Sequence, residues 1–453
     1  MEDHSSSSKH DIPETFKPSI RKATFPFDEG DADVTLRTSD NVEFRVHRVI
    51  LSLASSVFKD MFSMPQPLTG ENDSIPVAED DETLDTLLRI CYPTVHAKPA
   101  SLVQIRKVLA AAMKYDAPLV VDRMRDALMA PEFLDAQPLV VFTIACVFHL
   151  EEVAQTAAEM VVTMHNFMVD EFGNTSTTQS YPKLDDVSAG AYFRLLQLYR
   201  TRTAITQPPA KRRKGRSVVW NSTPTRERYV VNFEGIAPFC RPPPTPTLPP
   251  TKSQVESVSD PFTDTTGDLI LRTSDGLDFY VHRNILTFAS PTFLSGLVPA
   301  ETEGKPSGPA VLPVYQVQES AAILDVLLRV CYPVPHLQPA DPDTFLVVLS
   351  AAHKYGMSKA RQILRGGWLE LVEASPMRLY FAAVELGWKK EAKACADQLA
   401  SLSVSNVHAF YVPEMESIGS APYRNLLAYV SSKKSTSSAQ LGWVEGACGV
   451  PSC

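Results

Sequence analysis

Asp33-Val34-Thr35-Leu36-Arg37-Thr38-Ser39-Asp40, followed by Phe44-Arg45-Val46-His47-Arg48-Val49-Ile50-Leu51, decides the fold because the chain says it twice. It returns as Asp268-Leu269-Ile270-Leu271-Arg272-Thr273-Ser274-Asp275 and Phe279-Tyr280-Val281-His282-Arg283-Asn284-Ile285-Leu286, 235 positions later. Leu87-Leu88-Arg89-Ile90-Cys91-Tyr92-Pro93 returns as Leu327-Leu328-Arg329-Val330-Cys331-Tyr332-Pro333, and Ala111-Ala112-Met113-Lys114-Tyr115 as Ala351-Ala352-His353-Lys354-Tyr355, now 240 positions later. The growing offset places an insertion near Glu301–Pro309, a Gly/Pro/Ser-rich stretch where extra residues cost little. Pro138 to Ala154 aligns with Pro376 to Ala392, and Tyr192-x-x-Leu195-Leu196 with Tyr423-x-x-Leu426-Leu427. Two domain-sized units of common origin follow.

Within one unit, Val34 and Leu36, then Val42, Phe44 and Val46, alternate with polar residues, the two-residue period of a half-buried hairpin. Ser39-Asp40-Asn41 and Ser274-Asp275-Gly276 supply the turn. From Arg48 the period changes, and Val49, Ile50, Leu53, Val57 and Met61 follow helical spacing. Ser56–Phe62 reads as a second short helix. Ile75-Pro76-Val77 and Leu312-Pro313-Val314 read as proline-bearing edge strands. Asp81–Cys91 and Ser101–Lys114 read as amphipathic helices, the first ending before Pro93. Beyond Pro118 the pattern stays helical to Arg202, with a loop at Gly173–Pro182.

The 453 residues carry a formal net charge of −9 and a pI near 5.6, a balance that argues against a general phosphate-binding surface. Seven cysteines stand scattered, with no C-x-x-C pair, the pattern of free thiols in a reducing compartment. No signal-peptide layout opens the sequence, and Leu139–Leu150 is too short for a membrane helix. The expected setting is the cytoplasm, the nucleus or both, with neither membrane nor direct nucleic-acid contact.

His47-Arg48 and His282-Arg283 invite a catalytic or metal reading, but each stands where a strand hands over to a helix, which suits a satisfied imidazole. Asp33 and Asp268 would tie down the strand start. No nucleophile elbow, metalloprotease helix or phosphate-cradling loop occurs. No catalytic, cofactor-binding or metal-ligating residue is expected, and no cofactor. Lys211, Arg212, Arg213, Lys214 and Arg216 form a compact basic run flanked by helix breakers, a nuclear-import candidate whose alternative is a solvated linker. Arg241-Pro242-Pro243-Pro244 through Pro250 reads as a polyproline spacer.

These strings in this order resemble the BTB/POZ domain, closest to the form common in fungal members, which open with Pro-Phe-Asp, here Pro26-Phe27-Asp28. The resemblance covers about 30–118 and 266–358. It implies an α+β fold: two BTB/POZ-like units, each a small mixed sheet flanked by helices and followed by a helical extension, joined by a disordered linker. The expected divisions are a disordered 1–23, a domain over 24–118, an extension over 119–204, a basic and Pro-rich linker over 205–262, a second domain over 263–358, its extension over 359–432 and a flexible tail over 433–453. Asp33, His47, Arg48, Tyr92, Pro93 and Tyr115, with Asp268, His282, Arg283, Tyr332, Pro333 and Tyr355, are then the structural signature of the family.

The resemblance further implies a non-catalytic scaffold or adaptor that binds protein partners. Two alternatives are a transcription-associated regulator recruited through partners and a cullin-type ubiquitin ligase adaptor. Leu68-Thr69-Gly70-Glu71 and Val298-Pro299-Ala300-Glu301 match the cullin-contact pattern poorly. Ser19–Gly30 and Thr251–Asp264 are polar and proline-punctuated, which argues against dimerisation by swapped N-terminal segments. Pairing of the two units within the chain, or a homo-oligomer, stays open, since a linker of this length spans roughly 40 Å.

Overall fold

Alternation and turn chemistry build the first sheet as the sequence predicts. The computed structural model describes residues 20–28, 30–64, 74–94, 98–163, 184–205, 228–242, 257–299, 312–334, 339–402 and 407–435. They fall into two bodies, residues 1–164 and 165–452. In the first, β1 (Arg21–Lys22), β2 (Val34–Arg37), β3 (Val42–Val46) and, after two helices, β4 (Ile75–Pro76) form a sheet of order β1-β3-β2-β4. β2 and β3 are antiparallel with Val34 opposite Val46 and Leu36 opposite Phe44, so all four side chains enter one core. The turn requires a left-handed residue, and Asn41 adopts it at φ 62° as Gly276 does at φ 83°. β1 lies inside the stretch expected to be disordered and pairs in parallel with Val42 and Glu43 of β3.

The helices of this body are α1 (Arg48–Ala54), α2 (Ser56–Ser63), α3 (Asp81–Cys91), α4 (Leu102–Lys114), α5 (Pro118–Leu128), α6 (Pro131–Leu134), α7 (Pro138–Val147) and α8 (Glu151–Thr163). α3 starts on Asp80, whose side chain accepts from the Thr83 N–H, and buries Leu84, Leu87 and Leu88. α5, α6 and α7 each carry proline in the first turn, where its missing N–H costs nothing.

The second body contains α9 (Ala189–Thr201) and a ribbon of β5 (Thr203–Ile205) with β6 (Arg228–Val230). The repeat follows with β7 (Leu269–Arg272), β8 (Asp278–Val281), α10 (Arg283–Ala289), β9 (Val298–Pro299), β10 (Val314–Gln316), α11 (Ala321–Cys331), α12 (Pro342–Lys354) and α13 (Ser358–Gly366). The chain then forms α14 (Trp368–Leu371), α15 (Pro376–Glu385), α16 (Lys389–Ser401) and α17 (Ser420–Ser435). Its sheet runs β8-β7-β10-β9. β4 is an edge strand as expected, but β10 is not: β9 covers it. The interior place is tolerated because Pro313 precedes the first paired residue and contributes only its carbonyl, which accepts from the Ile270 N–H at 2.9 Å. The insertion at Glu301–Pro309 lies outside the described residues.

Two expected divisions shift. Phe262 stands with the linker by composition, yet it is fully buried in the second core as Phe27 is in the first. Its carbonyl accepts from the Tyr280 N–H at 3.0 Å, as that of Phe27 does from Arg45 at 2.8 Å. The second domain therefore begins upstream of 263. The helix expected to close the first extension, α9, packs instead in the second body, where Arg194 and Glu416 form a buried pair at 2.5 Å. Phe239, also inside the stretch expected as linker, is buried, and its carbonyl accepts from Arg194 Nη2 at 2.9 Å.

Candidate protein-interaction surface

The His-Arg pair that recurs in both repeats ends a strand and starts a helix, and the hydrogen bonds there explain both residues. The His47 N–H donates to the Tyr92 hydroxyl at 2.7 Å, with Nδ1 at 3.2 Å from the same oxygen. The Arg48 N–H, one of the donors a helix start leaves unpaired, donates to Asp33 Oδ1 at 2.7 Å. The second copy repeats the set: His282 N–H to Tyr332 at 2.8 Å, its Nδ1 at 3.3 Å, and Arg283 N–H to Asp268 at 2.6 Å. Pro93 and Pro333 follow the tyrosines at exposed positions just past α3 and α11.

Tyr115 donates to Glu79 Oε2 at 2.6 Å, and Lys114 Nζ reaches Oε1 of the same carboxylate at 2.9 Å. Tyr355 and Lys354 hold Glu319 in the same way. The backbone carbonyls of Glu79 and Glu319 accept from the Ser39 and Ser274 N–H groups at 2.9 and 3.0 Å, which fastens the hairpin turn. Neither glutamate stood out in the sequence, although both recur at the 240-residue offset.

These networks engage the N–H and Nδ1 of both histidines, the Tyr92 and Tyr332 hydroxyls and the Glu79 and Glu319 carboxylates. Burial pushes the Cys91 and Cys331 thiols up to about 11, away from a reactive thiolate. Cys91, Cys331 and Cys395 carry free thiols. Among the described residues, no three His, Cys, Asp or Glu side chains converge as metal ligands, and no helix is long and apolar enough to cross a membrane. Lys211, Arg212, Arg213, Lys214 and Arg216 lie outside the described residues, as does Leu68–Glu71.

What the framework does present is apolar. Of the helically spaced residues, Val49 is 65% exposed and Leu53 84%, Ile50 and Met61 are half-buried, and Leu51, Phe58 and Phe62 go inward. Ser55 is extended between α1 and α2 and separates the two helices. Its hydroxyl accepts from the Phe58 N–H at 3.0 Å and donates to the Tyr115 carbonyl. Ser290 donates likewise to the Tyr355 carbonyl at 2.6 Å. In the second copy the place of Leu53 is taken by Phe288, 90% exposed, while Asn284 and Thr292 replace Val49 and Val57. Those polar replacements were the available signal that this face is not core.

The family model of the BTB/POZ domain matches residues 27–131 and 261–366. No curated protein matches the chain. Two matched segments, the two mixed sheets and the twice-built strand–helix junction lead to one conclusion: the chain is a tandem BTB/POZ-domain protein, and BTB/POZ domains mediate protein–protein interaction.

Proposed function

We propose that this protein is a non-catalytic scaffold that uses the exposed apolar faces of α1–α2 and α10 to hold two different protein partners. The carrying observation is the repeat position 53/288, which is large, apolar and almost fully exposed in both copies. Apolar side chains held in water on a short, hydrogen-bonded helix are what an interface core requires. The faces differ in kind: Val49, Leu53 and Val57 form an aliphatic stripe, whereas Phe288 is a lone aromatic between Asn284 and Thr292. Different chemistry at equivalent places supports two partners rather than one bound twice.

The test is affinity purification of the full chain and of Leu53→Asp and Phe288→Asp variants, read by quantitative mass spectrometry. Each substitution is expected to deplete its own set of bound proteins at least tenfold and leave the other set intact. Identical recoveries from both variants and the parent chain would remove the reading. Since both side chains are exposed, the melting temperature should stay within a few degrees of the parent.

A further inference from the structure

α9 and α17 are repeat counterparts, Tyr192 matching Tyr423 and Leu195-Leu196 matching Leu426-Leu427, 231 positions apart. In the second body they meet each other. Ser188 and Gly419, counterparts at the same offset, form an antiparallel bridge. The Ala189 N–H donates to the Ile418 carbonyl at 2.8 Å, and the Ser420 N–H to the Val187 carbonyl at 2.7 Å. Exchanging each residue for its counterpart turns the first of these bonds into the second. The Tyr192 and Tyr423 rings meet edge to face at 6.2 Å.

The charges follow the same rule. Asp185 and Glu416 are counterparts, and each pairs with an arginine of the opposite copy: Asp185 with Arg424 at 3.0 Å, Glu416 with Arg194 at 2.5 and 3.1 Å. The arginines sit one register position apart, so the symmetry is approximate there. Small residues permit the approach. A Cβ on Gly419 would stand 2.7 Å from the Asp185 carbonyl oxygen, and one on Gly190 would fall onto the Glu416 carboxyl.

Reciprocal contacts between equivalent residues are the mark of an isologous interface, the kind that a two-fold homodimer makes. Two helices that packed merely as neighbours would have no reason to set Ser188 against Gly419 and Tyr192 against Tyr423, or to exchange the Ala189–Ile418 bond for the Ser420–Val187 bond. We propose that residues 184–201 and 415–432 are two copies of one self-complementary docking element, and that each accepts the corresponding segment of a second copy of this chain. Within one chain the pairing is intramolecular, at an effective concentration on the order of millimolar, so it outcompetes a second chain until it is broken. Duplication has thereby turned a contact between molecules into a contact within one.

Charge exchange in the full chain tests this. Glu416→Arg leaves two arginines facing each other, and Arg194→Glu leaves two glutamates. Neither variant can close the element on itself, but the two can close it on each other. Equimolar mixing of differently mass-tagged variants should give a mixed complex by native mass spectrometry at least ten times more abundant than mixing two tagged parent chains. The double variant Arg194→Glu/Glu416→Arg, which restores the pair within one chain, should mix no more than the parent. If either single variant loses helical circular dichroism, recovery on mixing, absent from either alone, supports the proposal. No mixed complex above the parent level, or no recovery, overturns it.

Discussion

At the scale of single residues, Glu79 shows how a polar group earns its place in the domain. Burial pushes its carboxyl up, but the hydrogen bonds from Tyr115 and Lys114 outweigh that and hold it below its ordinary value of 4.5. A carboxylate depressed in the folded state stabilises it above the unfolded value and loses that contribution as pH falls through the folded one. Glu79→Gln should therefore flatten the acid limb of stability, measured by urea unfolding between about pH 5 and pH 3. A second residue-level prediction concerns backbone shape. His149 is exposed and left-handed at φ 55° after α7, where its repeat counterpart after α15 is Gly387 at φ 70°. Glycine takes that conformation without a Cβ clash, so His149→Gly should raise unfolding free energy by about 0.5–1 kcal/mol. An unchanged or lower urea midpoint would contradict it.

At the scale of elements, the segment ahead of each sheet is a hook. Phe27 packs against Phe44 and Tyr92, and Phe262 against Phe279 and Tyr332, with ring centroids 5.1–5.7 Å apart. Arg89 and Arg329 clamp the hooks from α3 and α11, through the Phe25 carbonyl at 3.0 Å and the Asp260 carbonyl at 2.9 Å. Phe262→Ala empties a fully buried site and should cost about 3–5 kcal/mol. A loss below about 1 kcal/mol in chemical denaturation would mean that Phe262 belongs with the linker after all. The hook also shows how far elements were legible. Strand alternation and turn residues placed β2, β3, β7 and β8, because a two-residue period is a local property. The second hook escaped because a proline-rich segment precedes it and hides the Pro261-Phe262 echo of Pro26-Phe27. The buried face of α1 was not legible, because a helix of seven residues gives spacing too few positions to choose a side.

At the scale of the molecule, the two bodies should unfold as separate transitions in calorimetry. Removing one partner of a buried ion pair leaves an uncompensated charge and costs about 3–5 kcal/mol. Arg194→Met should therefore lower the same transition that Phe262→Ala lowers and leave the other in place. A shift confined to the other transition would return α9 to the first body.

The sequence by itself determined the duplication, the α+β class, the hairpin and its turn, and the residues of the strand–helix junction, because periodicity, turn chemistry and self-similarity are written in neighbouring positions. Tertiary structure decided which face of α1 meets water, which strand lies at an edge and which body α9 joins. Those outcomes depend on contacts between residues far apart in the chain, such as Ser55 with Tyr115 and Arg194 with Glu416, and no local pattern encodes a partner that distant.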